Sequence, residues 1–220
     1  MRELIVIVAL LAGVILTEAR EQDVSQVVWQ IDNLTGIGGN RTARLGAPRV
    51  VESESGRAVE FDGLKDGLLV DDLPLAGARE FTVEVIFRPD AGGPAEQRFF
   101  HLQETGSEDR ILLETRVTPD NRWFLDTYIQ SGAARRTLYA ENFKHPVGQW
   151  YQAALVFDGR EMRHYVNGNL ELAGELNFTP LSQGQTSVGV RHNQVFWFKG
   201  AMRLARFSRR ALVPKEFLQP

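Results

Sequence analysis

The residues with the most chemical potential are the ionisable and aromatic side chains that alternate along the middle of the chain. In Phe81 to Pro89, the residues Phe81, Val83, Val85 and Phe87 share one parity, and Thr82, Glu84, Ile86 and Arg88 share the other. A β-strand sends successive side chains to opposite faces, so the apolar set is core and Glu84 and Arg88 point outward. The same test on Ile111 to Val117 turns Ile111, Leu113, Thr115 and Val117 inward and Leu112, Glu114 and Arg116 outward. On Arg122 to Ile129 it turns Trp123, Leu125, Thr127 and Ile129 inward and Phe124, Asp126 and Tyr128 outward. In Phe99 to Gln103, His101 and Gln103 fall on the same face as Phe99.

If these four strands share a sheet, Glu84, Arg88, His101, Glu114, Arg116, Asp126 and Tyr128 converge on one open face. Tyr165 and Gln152 join them from a neighbouring hairpin. Carboxylates, guanidinium groups and aromatic rings are the chemistry that holds sugar hydroxyls and ring faces. Opposite charges on such a face are expected to pair, which leaves Tyr128 and Tyr165 as stacking platforms. The wet side of any antiparallel sheet carries a similar mixture of charges.

Cleavage of a glycosidic bond needs two carboxylates flanking it, about 5–10 Å apart. Glu84, Glu114 and Asp126 are the acids available, and no spacing in the sequence sets a pair of them at that distance. No Ser/His/Asp order accompanies His164, and the histidines lack metal-ligand spacing. His164 therefore reads as a hydrogen-bonded core histidine or a pocket group. Arg191-His192-Asn193-Gln194, followed by Phe196-Trp197-Phe198, sets polar hydrogen-bonders beside aromatics and is a second candidate rim site. The Gly-rich stretch Gly36 to Gly46 holds Arg41 and Arg44 but lacks phosphate-loop spacing, and reads as a connection.

The elements that must position these residues are short strands. Trp150 to Phe157 is an apolar strand with Gln152 its only polar residue. Asp158-Gly159 supplies a turn, Glu161 to Val166 alternates, and Asn167-Gly168 is the next turn signal. Further strands are expected at Val27 to Ile31, Val50-Val51, Arg57 to Phe61, Gly67 to Val70, Arg135 to Tyr139, Leu170 to Leu176 and Ser187 to Arg191. Pro214 to Leu218 reads as a terminal helical turn. Many short strands with frequent Gly, Asn and Asp turns imply an all-β fold, a two-sheet antiparallel sandwich.

Three stretches carry a family resemblance. A Trp-led strand, an Asp-Gly turn and a strand closing on Tyr-Val-Asn-Gly, at Trp150 to Gly168, resemble the signature hairpin of the LamG-like (laminin G, concanavalin A-like lectin/glucanase) jelly-roll superfamily. Gly56 to Gly63, ending Phe-Asp-Gly, resembles an early strand of these domains, and Phe198 to Leu212 their last strand. The resemblance implies a jelly roll whose concave sheet face holds groove-type sugar sites. It also implies a search for catalytic motifs: the Glu-x-Asp-x-x-Glu triplet of laminarinase-like glucanases is absent, and the Arg/Glu, Gln/His and Tyr set of alginate-lyase relatives has no convincing match. Calcium is the usual metal of the fold, and Asp62 and Asp66 are the matching acids. Many relatives carry an Asp where this chain has Arg203, and a fixed cation opposes a divalent ion, so no metal and no cofactor are expected. Asp62 then reads as the cap of the Gly63 turn.

The chain of 220 residues is 43% hydrophobic and 24% charged with a formal net charge of -3, enough for one large core. Near-neutral charge argues against nucleic acid as a partner. The pairs Arg135-Arg136 and Arg209-Arg210 read as solvated surface. Residues 1–19 read as a signal peptide: Arg2, then the apolar run Leu4 to Leu16, then Thr17-Glu18-Ala19, with maturation at Arg20. That run falls short of the roughly 18–20 residues that span a bilayer, so no membrane span is expected in the mature chain. A single domain over residues 24–220 follows, secreted or periplasmic. The chain has no cysteine, so disulfides, thiolate metal sites and lipid attachment through cysteine are ruled out. The sequence favours a non-catalytic recognition domain for a glycan. A polysaccharide-active glycosidase or lyase using the concave face, and a structural or adhesion domain binding an extracellular protein, are the alternatives.

Overall fold

The computed structural model describes residues 25–220. The candidate signal segment 1–19, the maturation point Arg20 and residue 24 lie outside the described residues.

Sixteen strands account for most of the described residues. The first five are β1 (Gln26–Gln30), β2 (Thr42–Leu45), β3 (Arg49–Ser53), β4 (Gly56–Asp62) and β5 (Gly67–Val70). The central six are β6 (Phe81–Pro89), β7 (Glu96–Glu104), β8 (Arg110–Val117), β9 (Arg122–Ser131), β10 (Ala134–Tyr139) and β11 (His145–Pro146). The last five are β12 (Tyr151–Phe157), β13 (Glu161–Val166), β14 (Asn169–Glu175), β15 (Gly184–Val188) and β16 (Lys199–Ser208). A short 3-10 turn at Pro214–Glu216 stands where the sequence predicts a terminal helical turn. The stretch read as a plain connection, Gly36 to Gly46, contains β2, a four-residue edge strand that pairs with β5.

The first sheet runs β14-β13-β12-β6-β16-β4-β3, with β1 also on β16; the second runs β10-β9-β8-β7-β15-β5-β2, with β11 on β9. All pairings are antiparallel, as an all-β sandwich requires. The expected grouping of β6 with β7, β8 and β9 is corrected here. β6 pairs with β12 and β16, and the chain crosses to the other sheet between Pro89 and Glu96. Alternation along a strand fixes which side chains point inward, but it is the same in either sheet.

The core lies between the sheets. Phe81, Val83, Val85, Phe87, Leu113, Leu125, Leu155 and Val166 are all buried in it, so the register read from alternation holds. Phe87 stacks on Phe99 at 4.3 Å between ring centroids, and Trp123 meets Phe87 edge-on at 5.2 Å. One face assignment fails. A β-bulge between Arg98 and Phe100 turns both Phe99 and Phe100 into the core, so His101 lies on the face opposite Phe99.

The signature hairpin turns as its sequence implies. Asn167 (φ 50) and Gly168 (φ 76) both take left-handed backbone, the requirement of a two-residue type I′ turn. The Asn167 side chain also accepts the Gln152 N–H at 2.9 Å. At the other end, Asp158 accepts the N–H groups of Arg160 and Glu161, which closes the turn into β13.

Candidate ligand-binding face

The outer face of the second sheet is built from β7, β8, β9 and β10. On β7, Arg98 before the bulge and His101 and Gln103 beyond it point outward. Beside them lie Arg110, Leu112, Glu114 and Arg116 of β8, opposite Gln130, Tyr128, Asp126 and Phe124 of β9. Thr137 and Tyr139 of β10 complete the rows. Of the residues expected to converge, five do: His101, Glu114, Arg116, Asp126 and Tyr128.

Glu84, Arg88 and Tyr165 do not, because β6 and β13 belong to the other sheet. Glu84 is fully buried on that sheet's outer side, where Arg206 holds its Oε2 at 2.6 Å, Gln152 donates to Oε1 and the Leu218 N–H donates at 2.7 Å. Tyr165 is buried beneath the C-terminal segment, with its ring 5.1 Å from that of Phe217, so it is no exposed platform. Arg88 sits on the rim, bonded to Asp90 through Nε at 2.8 Å, with Glu60 nearby. Gln152 is buried in the same place as Glu84.

On the second sheet Glu114 and Asp126 are direct cross-strand partners, and both are nearly inaccessible. Two carboxylates in that position repel. Arg116 bridges them, 2.7 Å from Asp126 and 3.6 Å from Glu114, and Arg98 Nε approaches Glu114 at 2.5 Å. Burial and then the Asp126 charge nonetheless push the Glu114 carboxyl up to about 8. Burial also raises Asp126, against the pull of Arg116. The pair thus holds a proton near neutral pH. Glu96 differs: its ion pairs with Arg98 and Arg116 outweigh its partial burial and hold it below the ordinary range.

The loop after β15, the second candidate in the sequence, folds onto this same face. The His192 N–H donates to His101 Nδ1 at 2.9 Å, and His101 Nε2 faces the Gln103 side-chain oxygen at 3.1 Å. His101 therefore carries its proton on Nε2. Burial, with His192, Arg191 and Arg110 close by, drives its pKa well below the usual histidine range, so the ring is neutral. Phe196 accepts the Arg98 N–H through its carbonyl at 2.8 Å, and its ring lies 3.9 Å from the Arg98 guanidinium. Gln194 and Phe196 both have φ near 60°, a conformation that a bulky side chain adopts only under constraint.

Two clefts result. One of about 290 Å³ is lined by Arg98, Arg110, Glu114, Arg116, Asp126 and Tyr128 among others; a second of about 500 Å³ lies over His101, Gln103, Gln185, His192 and Asn193. Arg191 lines both. Aromatic surface is available at Tyr139, 46% exposed, and at Phe196. Tyr128 is half-buried, with Arg110 over its ring at 5.1 Å. Sequence reasoning missed Arg98, Arg110 and Tyr139. The outward parity of Arg110 was readable by extending its strand by one residue, and that of Tyr139 from alternation within Arg135 to Tyr139; that of Arg98 was hidden by the bulge.

Elsewhere, His164 is a core histidine. Its Nδ1 meets Thr127 Oγ1 across the two sheets at 2.9 Å, and burial lowers its pKa to about 3. Glu171, turned inward at a bulge in β14, lies 3.6 Å from its Nε2 and bonds His145 at 2.6 Å. Asp62 accepts the N–H groups of Leu64, Lys65 and Asp66 with one oxygen, which caps the Gly63 turn and lowers its pKa despite partial burial. Among the described residues no group of three or more His, Asp or Glu side chains is arranged to hold a metal ion. Arg203 is bonded through Nη1 to the Ser55 carbonyl.

No curated protein sequence matches the chain. Solved structures do. Domain 4 of AbnA, an extracellular GH43 arabinanase from Geobacillus stearothermophilus, in complex with arabinotriose, is similar over 86% of this chain and 94% of that domain, at 19% identity and a TM-score of 0.64. The binding domain of Paraclostridial Mosquitocidal Protein 1 matches over 87% of this chain at 10% identity and a TM-score of 0.66. The receptor-binding domain of a botulinum neurotoxin C/D mosaic serotype matches over 87% at 13% identity and a TM-score of 0.64. The chain spans about half the length of each of the two toxin structures. At such identities the likeness shows the fold. The family model of the concanavalin A-like lectin/glucanases matches residues 62–217, most of the described sandwich, and the chain belongs to that superfamily.

Proposed function

We propose that the chain is a non-catalytic carbohydrate-recognition domain whose ligand lies on the outer face of the second sheet. The observation that carries this is the pair of clefts joined at Arg191, lined by guanidinium, amide and imidazole groups with Tyr139 and Phe196 alongside. These groups supply directional hydrogen bonds to hydroxyls and flat apolar surface for sugar rings. The arabinotriose complex of a protein with the same fold supports the class of ligand. Export to the periplasm or the medium, through residues 1–19, belongs to the same reading, and a mature N-terminus at Arg20 is its test by mass spectrometry.

A shallow open face makes few contacts per ring. Affinity is expected at roughly 10 µM–1 mM, or about 4–7 kcal/mol. The test is a binding screen of the full chain against neutral and acidic polysaccharides. Tyr128→Ala and Tyr139→Ala should each weaken the binding found, and Leu170→Ala, exposed on an edge strand of the first sheet, should leave it unchanged. Loss of binding in Leu170→Ala alone would sink the assignment to the second sheet.

One observation favours an enzyme. A carboxyl held at about 8 is what a general acid needs. Against it, Glu114 and Asp126 are both buried on a shared arginine, which leaves neither free to flank a scissile bond. Shortening of any bound polymer, abolished by Glu114→Gln, would reverse that judgement.

A further inference from the structure

The charges of the second face do not cancel. Arg116 is committed to Glu96 and Asp126, Arg98 to Glu96 and Glu114, and Arg110 to Glu108. Arg191 enters the same cleft, and its guanidinium makes no hydrogen bond or ion pair among the described residues. It is half-buried, and burial together with Arg110 and Arg98 lowers its pKa, although a guanidinium so placed stays charged. Glu114 adds little compensation near neutral pH, because it shares its proton-binding site with Asp126. Four arginines thus share four carboxylates, Glu96, Glu108, Glu114 and Asp126, of which the last two together hold less than two negative charges, so one positive charge is left over in a chain whose net charge is -3.

The loop that delivers Arg191 is fixed rather than trailing. The Arg191 carbonyl accepts the Gln194 N–H at 2.8 Å, its N–H donates to the Val195 carbonyl at 3.2 Å, and His192 is bonded to His101 beneath. Left-handed Gln194 and Phe196 turn the chain back so that Phe196 lands on Arg98. Backbone held in a costly conformation, in order to hold like charges together, is arranged for something of opposite charge.

We infer that the ligand of this face is an acidic saccharide, and that Arg191 clamps its anionic group beside Arg98 and Arg110. A planar guanidinium with no protein partner offers paired N–H donors to a carboxylate or a sulfate oxygen pair. His192, whose Nδ1 has no hydrogen-bond partner among the described residues, and the exposed Asn193, in the adjoining cleft, are left for neutral hydroxyls of the neighbouring sugar. The inference rests on the sugar-binding reading above and goes further in naming the charge of the sugar.

The experiment titrates the full chain with polygalacturonate, with dextran sulfate and with neutral dextran and arabinan, at about 0.15 M salt to suppress diffuse attraction. Arg191→Gln is compared with Arg57→Gln, which removes the same charge from an exposed position on β4. The expected result is binding of the uronate or the sulfated polymer, weakened at least tenfold by Arg191→Gln and less than twofold by Arg57→Gln. Which of the two polymers binds tells carboxylate from sulfate. Relief of repulsion also predicts that Arg191→Gln melts no lower than the parent, which separates a binding defect from a folding one. Binding of a neutral polymer that Arg191→Gln leaves intact would overturn the inference and spare the sugar-binding reading. Equal losses in both variants would reduce the effect to net charge and overturn it. Absence of binding to every polymer would remove both.

Discussion

The two outer faces of the sandwich begin from the same alternating pattern and end differently. On the first sheet, Glu84, Gln152 and Tyr165 are roofed by the C-terminal segment. Leu212 and Phe217 pack on Ala154, Val156 and Tyr165, and the Leu218 N–H reaches Glu84. The one buried acid there has one arginine, Arg206, so charge balances. On the second sheet the covering loop spans only part of the face and brings an arginine instead of an apolar plug. A face closed by its own chain is spent on stability, whereas one left partly open with surplus charge is free to bind.

That contrast is broken most directly at Glu84. Glu84→Ala strands Arg206 and frees a backbone N–H, and loss of one partner from a buried pair costs roughly 3–5 kcal/mol. Urea unfolding should show it; a change below about 1 kcal/mol would mean the first face is not structurally closed. Phe217→Ala should cost about 2 kcal/mol, less than a central phenylalanine, because its site is at the periphery. It should also expose Tyr165 to a hydrophobic dye.

The pH dependence sharpens the comparison. His164 has a folded pKa of about 3 against an ordinary 6.5, so its contribution to stability is present above pH 6.5 and is lost as pH falls towards 3. His164→Gln should flatten that acid limb, in a test that also reads any opposing effect of the Glu171 carboxylate. Glu114 runs the other way: its folded pKa is raised, so its contribution is full below about 4.5 and is lost as pH rises through about 8. Glu114→Gln should make stability less sensitive across that interval, and parallel profiles would contradict the shared proton. The smallest effect is expected at Tyr139→Ala, on the open face, where an exposed ring should change stability by less than about 0.5 kcal/mol while weakening ligand binding.

The fold was legible because it rests on parity. Phe81 to Phe87, with Leu113, Leu125, Leu155 and Val166, declare their buried side wherever their strand sits. Sheet membership was not legible, because the partners of β6 lie more than sixty residues downstream, in β12 and β16. The bulge at Phe99 was hidden for a related reason: an inserted residue in an apolar strand looks like ordinary alternation that has slipped. Tyr165 was misjudged because its cover, Phe217, comes from a C-terminal segment with almost no regular structure. The loop Arg191–Gln194 stood out by composition, but its docking on His101 depends on a fold-level contact that no local pattern encodes.

The lateral rims of the sandwich limit how this molecule can associate. On one side, β10 and β14 come from opposite sheets and lie against each other, with Arg136 Nε bonded to the Glu175 carbonyl at 2.9 Å. On the other, the terminal strands β2 and β3 are only four and five residues long and carry Arg44, Arg49 and Glu52. A rim covered by its neighbour on one side, and short charged edge strands on the other, offer a poor template for a foreign strand. A concentrated solution of this cysteine-free domain should therefore resist fibrillar polymerisation, and any multimer it does form must be built through its broad surfaces.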